Sequence, residues 1–177
     1  MRDRPARIEP FQKHHDRTPF DCGVEVLNRY LKQNARQELE RRTAAVFVLV
    51  EADDPRILGY YTLSQSSVLL SDLPGDRHKK LPRYPQVPTT LLGRLAVDQS
   101  CKGKRYGEFL LMDALERAWR TSQQAASFAL VVDVLEVEPD PLAFYLRYEF
   151  EPLPTQPRRL FLPLQSCDSL FADTIEP

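Results

Sequence analysis

RLAVDQSCKGKRYGEFLL, residues 94–111, begins as a strand, crosses a short loop holding Lys102, Gly103, Lys104, Arg105 and Gly107, and continues as an amphipathic helix. A helix N-terminus presents backbone N–H groups without internal partners and a partial positive charge, and glycines just upstream let a ligand come close to the backbone. The natural guest of such a loop is phosphate, with the three cations adding charge. The spacing is neither the GxxxxGK[ST] of a P-loop nor the GxGxxG of a dinucleotide fold, so nucleoside triphosphates and nicotinamide cofactors are poorly supported. A surface turn with solvated lysines is the other reading, and this stretch alone leaves it open.

Around this loop, the 177 residues with 42% hydrophobic content suit one domain, expected to span 1–177. The net charge of −1 gives no global attraction to nucleic acid, so a polyanionic partner must be met by a local patch. Three well-separated cysteines, Cys22, Cys101 and Cys167, read as free thiols of a reducing compartment. The histidines show no ligand spacing with them, and no metal is expected. The opening MRDRPARIEP has no apolar segment and no stretch reaches bilayer-spanning length, so a soluble, cytoplasmic protein without membrane contact is expected.

Periodicity supplies the remaining elements. Val24, Leu27, Tyr30, Leu31, Ala35 and Leu39 recur at three- and four-residue steps, predicting a helix after the turn PFDCG at 19–23. AVFVLVEA (45–52) and ILGYYTLSQSSVLL (57–70) read as a hairpin. The polar, proline-rich 71–88 is expected to be an irregular loop, followed by a strand at 89–98. A helix from Gly107, a strand at 127–135, a short helix in PLAFYLRYEF (141–150) and a closing strand at 159–164 complete the pattern. Strands lie both next to each other and apart, separated by helices, so the fold class is α/β with a mixed sheet.

FYLRYEF (144–150) carries a tyrosine that is plain core unless a reaction needs a phenol. Acyl transfer from a thioester to an α-amine is such a reaction. A phenol of pKa about 10 can protonate a departing thiolate whose conjugate acid lies near about 8.5, and an α-amine of pKa about 7.7–8.0 is already partly neutral.

RLAVDQSCKGKRYGEFLL resembles motif A of the GNAT superfamily of N-acetyltransferases. FDCGVEVLNRYLKQNARQ, ILGYYTLS, LLGRLAVD, AFYLRYEFEPL and RLFLPL resemble, in the same order, the GNAT-type toxins of bacterial toxin–antitoxin pairs, covering most of residues 19–164. The resemblance implies a GNAT fold: a mixed, mostly antiparallel sheet with a V-shaped splay, flanked by helices. It implies acetyl-CoA as cosubstrate, with Leu95, Ala96 and Val97 along the pantetheine arm and thioester. Lys102, Gly103, Lys104, Arg105, Tyr106, Gly107 and Glu108 fall at the pyrophosphate, and Tyr145 is the general acid. It also implies aminoacyl-tRNA as acceptor, with translation blocked by its acetylation, a ribbon-helix-helix antitoxin as partner, and a possible homodimer.

Candidates for contact with tRNA are Lys32, Arg36, Arg77, Lys79, Lys80, Arg83 and Arg94, with solvated charged faces as the alternative. Two residues depart from the family pattern. Arg105 stands where the motif carries its first paired glycine, and Glu149 where related sequences have glycine after the tyrosine helix. A positive φ at Arg105 would cost about 1 kcal/mol or more. Two alternatives stay open: an acetyltransferase for small molecules or peptides, in which the same cofactor site serves another acceptor, and a CoA-binding module with impaired catalysis, with which the two departures are consistent.

Overall fold

The computed structural model describes residues 5–174. Seven strands follow the order β1 (Ala6–Pro10), β2 (Ala45–Glu51), β3 (Gly59–Leu69), β4 (Gln86–Val97), β5 (Ala129–Asp133), β7 (Gln156–Pro163) and β6 (Glu151–Leu153). The chain forms two compact units, one comprising residues up to Ser64 with Gly93–Ala114, the other Gln65–Leu92 with Leu115 onward. Among the described residues, no helix is long and apolar enough to cross a membrane.

In the first unit β1 pairs antiparallel with β2, from Ala6↔Glu51 to Pro10↔Phe47, and β2 pairs antiparallel with β3, from Ala45↔Leu63 to Leu49↔Gly59. The expected hairpin is therefore present, and an edge strand precedes it. β1 has no sequence signal because its ARIEP alternates weakly, and its proline is tolerated at an edge. The predicted first helix is three consecutive pieces, α1 (Glu25–Arg29), a π-helical turn at Tyr30–Asn34 and α2 (Ala35–Glu40). Its apolar side supplies Leu31, which is fully buried with Phe20, Val48, Ile57 and Tyr60. Each such side chain contributes about 1.5–3 kcal/mol by leaving water. Gly59 is required where it stands, because a Cβ there would lie 2.9 Å from Leu110 Cδ1 and 3.2 Å from the Ala96 carbonyl.

In the second unit β4 pairs parallel with β5 at Thr90↔Leu130 through Leu92↔Val132, and β5 and β6 each pair antiparallel with β7. β4 continues five residues past Leu92, to Val97. Among the described strand pairings four are antiparallel and one is parallel, as a mixed sheet requires. The core here holds Ala129, Val131, Leu153 and Phe161. The segment expected to be irregular is shorter and more ordered than its composition indicates. It contains a 3-10 turn at Leu70–Asp72 and α3 (Gly75–His78), and β4 starts at Gln86. Val87 and Leu73 are both buried, so apolar anchors at the two ends of the segment override its polar average.

The 17-residue helix α4 (Tyr106–Ser122) follows the opening loop. A short helix α5 (Leu142–Arg147) precedes β6, and α6 (Asp168–Phe171) follows β7.

Candidate active site

In the first unit, β4 delivers the chain into the loop 98–105, and α4 begins directly after it. Within the loop the Cys101, Lys102 and Lys104 amides donate to the carbonyls of Asp98, Gln99 and Cys101, and the first helical bond runs from Phe109 N–H to Arg105 C=O. The amides of Tyr106, Gly107 and Glu108 are those an α-helix leaves without an internal acceptor. Gly103 has φ +83° with nothing within 4 Å of where a Cβ would stand. Arg105 has φ 59°, the left-handed conformation that favours glycine, so arginine stands here in a backbone conformation that glycine would adopt without strain. A cavity of about 240 Å³ is lined by Cys22, Asp98, Lys102, Gly103, Arg105 and Gly107, among others.

The three loop cations are not equivalent. Lys104 Nζ lies 3.4 Å from Glu51 Oε1 and Arg105 pairs with Glu108 at 2.6 Å. Lys102 is exposed and forms no ion pair among the described residues. Two of the three positive charges thus have a carboxylate beside them, whereas Lys102 and the backbone amides have no such competitor for an anion.

In the second unit Tyr145 is 6% exposed, its ring 5.1 Å from that of Phe144 and 5.7 Å from that of Phe150. Burial pushes the phenol well above its usual value, so it is held protonated. The α5 helix is fixed at both ends. At its start Asp140 accepts from the Leu142 amide at 3.0 Å and from Arg158 Nη2 at 2.8 Å, while Arg158 also donates to the Leu135 carbonyl at 2.7 Å. At its end the Glu149 amide donates to Leu146 C=O and the Phe150 amide to Tyr145 C=O. This is a Schellman cap, and the contact of the Phe150 and Tyr145 rings is the hydrophobic contact that accompanies it. Its left-handed residue is Glu149, at φ 67°.

The basic candidates separate by partner. In the first unit Arg36 pairs with Glu40 at 2.8 Å, and Arg94 lies 3.5 Å over the Tyr30 ring and 4.0 Å from Glu38. Tyr30 itself donates to Glu38 at 2.7 Å, a reach between residues eight apart that the π-helical turn makes possible. In the second unit Arg77 pairs with Glu151. Lys32, Lys79, Lys80 and Arg83 form no ion pair among the described residues, and the last three are exposed.

The structure also assembles a cluster that sequence spacing did not point to. Glu9, His14 and His15 bring their ligand atoms within 4.8 Å of one another. His15 Nδ1 accepts from the Gln12 amide at 2.9 Å, which places the ring proton on Nε2, donated to Glu9 at 2.7 Å. The Nε2 lone pair a metal would need is therefore absent, and the cluster serves to hold β1 against the following turn. All three cysteines are free, and burial raises the Cys22 and Cys167 thiols.

No protein-family model matches the chain. It is 31% identical to "Probable toxin TacT" of Sinorhizobium fredii over 93% of this chain and 94% of that protein. It is 34% identical to "tRNA-acetylating toxin" of Mycobacterium tuberculosis over 89% of this chain and 92% of that protein. Among solved structures, a tyrosine-to-phenylalanine mutant of KacT matches with TM-score 0.87 at 36% identity, covering 94% of this chain and 99% of that one. AtaT complexed with acetyl-methionyl-tRNA matches with TM-score 0.86 at 30% identity over 94% and 99%. An AtaT mutant bound to the C-terminus of the antitoxin AtaR and acetyl-CoA matches with TM-score 0.77 at 27% identity over 94% and 98%.

Proposed function

The chain belongs to the family of GNAT-type tRNA-acetylating toxins, and from that premise we propose how its own residues carry out the reaction. It is an acetyl-CoA-dependent N-acetyltransferase that acetylates the α-amino group of aminoacyl-tRNA and so blocks translation. The observation that carries this reading is the loop at the head of α4. Its unpaired amides form an anion cradle, although two of its three cations are engaged elsewhere.

The thioester of acetyl-CoA supplies the acyl group. The pyrophosphate is received by the amides of Tyr106, Gly107 and Glu108, with Lys102 adding charge. The stretch of β4 beyond its pairing with β5 offers Leu95 and Val97 to the pantetheine arm, and the N–H near Ala96 polarises the thioester carbonyl. The neutral α-amine attacks the carbonyl carbon, the C–S bond breaks, the Tyr145 phenol gives its proton to the departing thiolate, and the proton lost by the amine returns through solvent to the phenolate. Burial keeps the phenol in its neutral, proton-bearing form, and the same shift makes it a weaker acid toward the thiolate. Phosphates of the tRNA are met by Lys79, Lys80 and Arg83, with Lys32 as a further candidate, since these cations lack carboxylate partners among the described residues.

Impaired catalysis finds no support in the two departures from glycine, because Arg105 and Glu149 both adopt the positive φ that glycine would. The partner that silences the toxin is an antitoxin of the ribbon-helix-helix type, and the active form is a cytoplasmic dimer. Tyr145→Phe tests the chemistry: acetyl-CoA binding is retained while turnover with charged tRNA falls by about 10²–10⁴-fold. Unchanged turnover removes Tyr145 from the mechanism. Turnover on free amines but not on charged tRNA moves the acceptor to the small-molecule class.

A further inference from the structure

The turn Phe20–Gly23 lies far in sequence from the anion loop but is joined to it by a closed set of hydrogen bonds. The Asp21 amide donates to Asp98 Oδ2 at 3.0 Å, and the Gln99 amide returns a bond to the Asp21 carbonyl at 2.9 Å. The other carboxylate oxygen of Asp98 accepts from the Ser100 amide at 2.9 Å and the Ser100 hydroxyl at 2.6 Å, with Arg56 Nη2 at 3.4 Å. Asp98 is 4% exposed, and these donors keep its carboxyl ionised against the cost of burial.

The turn is in turn locked onto α1. Asp21 Oδ1 accepts from the Gly23 amide at 2.8 Å and from Asn28 Nδ2 at 2.8 Å, while Asn28 Oδ1 accepts from the Cys22 amide at 2.9 Å. Asn28 is buried, and Gly23 has φ +83°, a conformation that lets the turn close. Cys22 also forms part of the wall of the cavity at the anion loop. The turn is thus both wall and anchor of that cavity.

We propose that Asp98, Asp21 and Asn28 are positioning residues that hold the anion loop in its binding conformation, so that the Phe20–Gly23 turn sets the affinity for acetyl-CoA without touching the reacting atoms. This rests on the reading that the loop receives the acetyl-CoA pyrophosphate. The chemistry of the three side chains is matched: two ionised acceptors each take bonds from several donors, and one amide both accepts and donates. Asp98→Asn breaks the match, because one of its two terminal atoms becomes a donor facing either the Asp21 or the Ser100 N–H. Asp21→Ala deletes the acceptor for Gly23 and Asn28, whereas Asp21→Asn keeps an oxygen for both.

The experiment measures acetyl-CoA dissociation constants by calorimetry and steady-state kinetics with charged tRNA for the wild type and these three variants. Asp98→Asn and Asp21→Ala are expected to weaken acetyl-CoA by about tenfold or more. Their kcat at saturating acetyl-CoA is expected to stay within about threefold of wild type, while Asp21→Asn keeps wild-type affinity. Wild-type affinity in both Asp98→Asn and Asp21→Ala, or equal loss of kcat and affinity in all three variants, overturns the proposal. Asp21 is exposed, so its two variants are readable even where Asp98→Asn does not fold. A wild type that binds no acetyl-CoA at all overturns the functional reading instead.

Discussion

Glu149 is an exposed glutamate held at φ 67° in the left-handed position of the cap that ends the Tyr145 helix. An L-residue there costs about 1–2 kcal/mol relative to its right-handed conformation, and glycine escapes that cost. Glycine also loses more freedom on folding, which offsets about 0.5–1 kcal/mol. Glu149→Gly is therefore expected to raise stability by about 1 kcal/mol. In a domain of this size that corresponds to about 2–4 °C in Tm. Glu149→Ala is the control, because it removes the same exposed side chain while keeping a Cβ in the left-handed conformation. Thermal unfolding of the three proteins, run at equal concentration, separates the effects. Glu149→Gly should melt above both the wild type and Glu149→Ala. Both cap bonds are backbone bonds, so the turnover that depends on Tyr145 is expected to be unchanged. If Glu149→Ala is as stable as Glu149→Gly, the stabilisation comes from losing the side chain, and the backbone reasoning is refuted.

The same comparison at Arg105, φ 59°, predicts that Arg105→Gly melts above Arg105→Ala by a similar margin, since both lose the pair with Glu108. Arg105→Gly should also keep the acetyl-CoA dissociation constant within about threefold by calorimetry; a tenfold loss would show that the cation, not the backbone, holds the anion. Acid stability gives a further test. Arg7 first, and then His15, hold the Glu9 carboxyl at about 2 against an ordinary 4.5. Its folded value is depressed, so its contribution is full above about 4.5 and is lost as pH falls toward about 2. Unfolding midpoints measured across that range should fall less steeply for Glu9→Gln than for the wild type, and parallel curves would remove Glu9 from the acid response.

The local parts of this protein are written in short stretches of its sequence. RLAVDQSCKGKRYGEFLL determines a strand, a loop and a helix, because apolar periodicity, glycine placement and the helix start all act within a few residues. FYLRYEF likewise determines a short helix with a tyrosine inside it, and the order of such stretches is enough to place the chain among GNAT-type toxins.

The fold leaves less to the sequence where the signal is short or unpaired. β1 and β6 are five and three residues long, too brief for a period to show, and they exist because β2 and β7 offer them edges. Tyr30 in the π-helical turn meets Glu38 from its own helix and Arg94 from a strand 64 residues further along the chain.

Only the tertiary structure decided which charges are available. Lys104 reads alike with Lys102 until Glu51 comes to rest beside it, and Arg77 reads alike with Lys79 until Glu151 does. It also decided the sign of φ at Arg105 and Glu149, where the sequence shows a missing glycine but not whether the backbone still follows a glycine's path. The bond from Asp21 to Asp98 spans 77 residues, and no spacing rule reaches that far. Periodicity and turn chemistry are local, whereas ion pairing and the anchoring of a loop depend on which distant residues the folded core brings within about 3 Å.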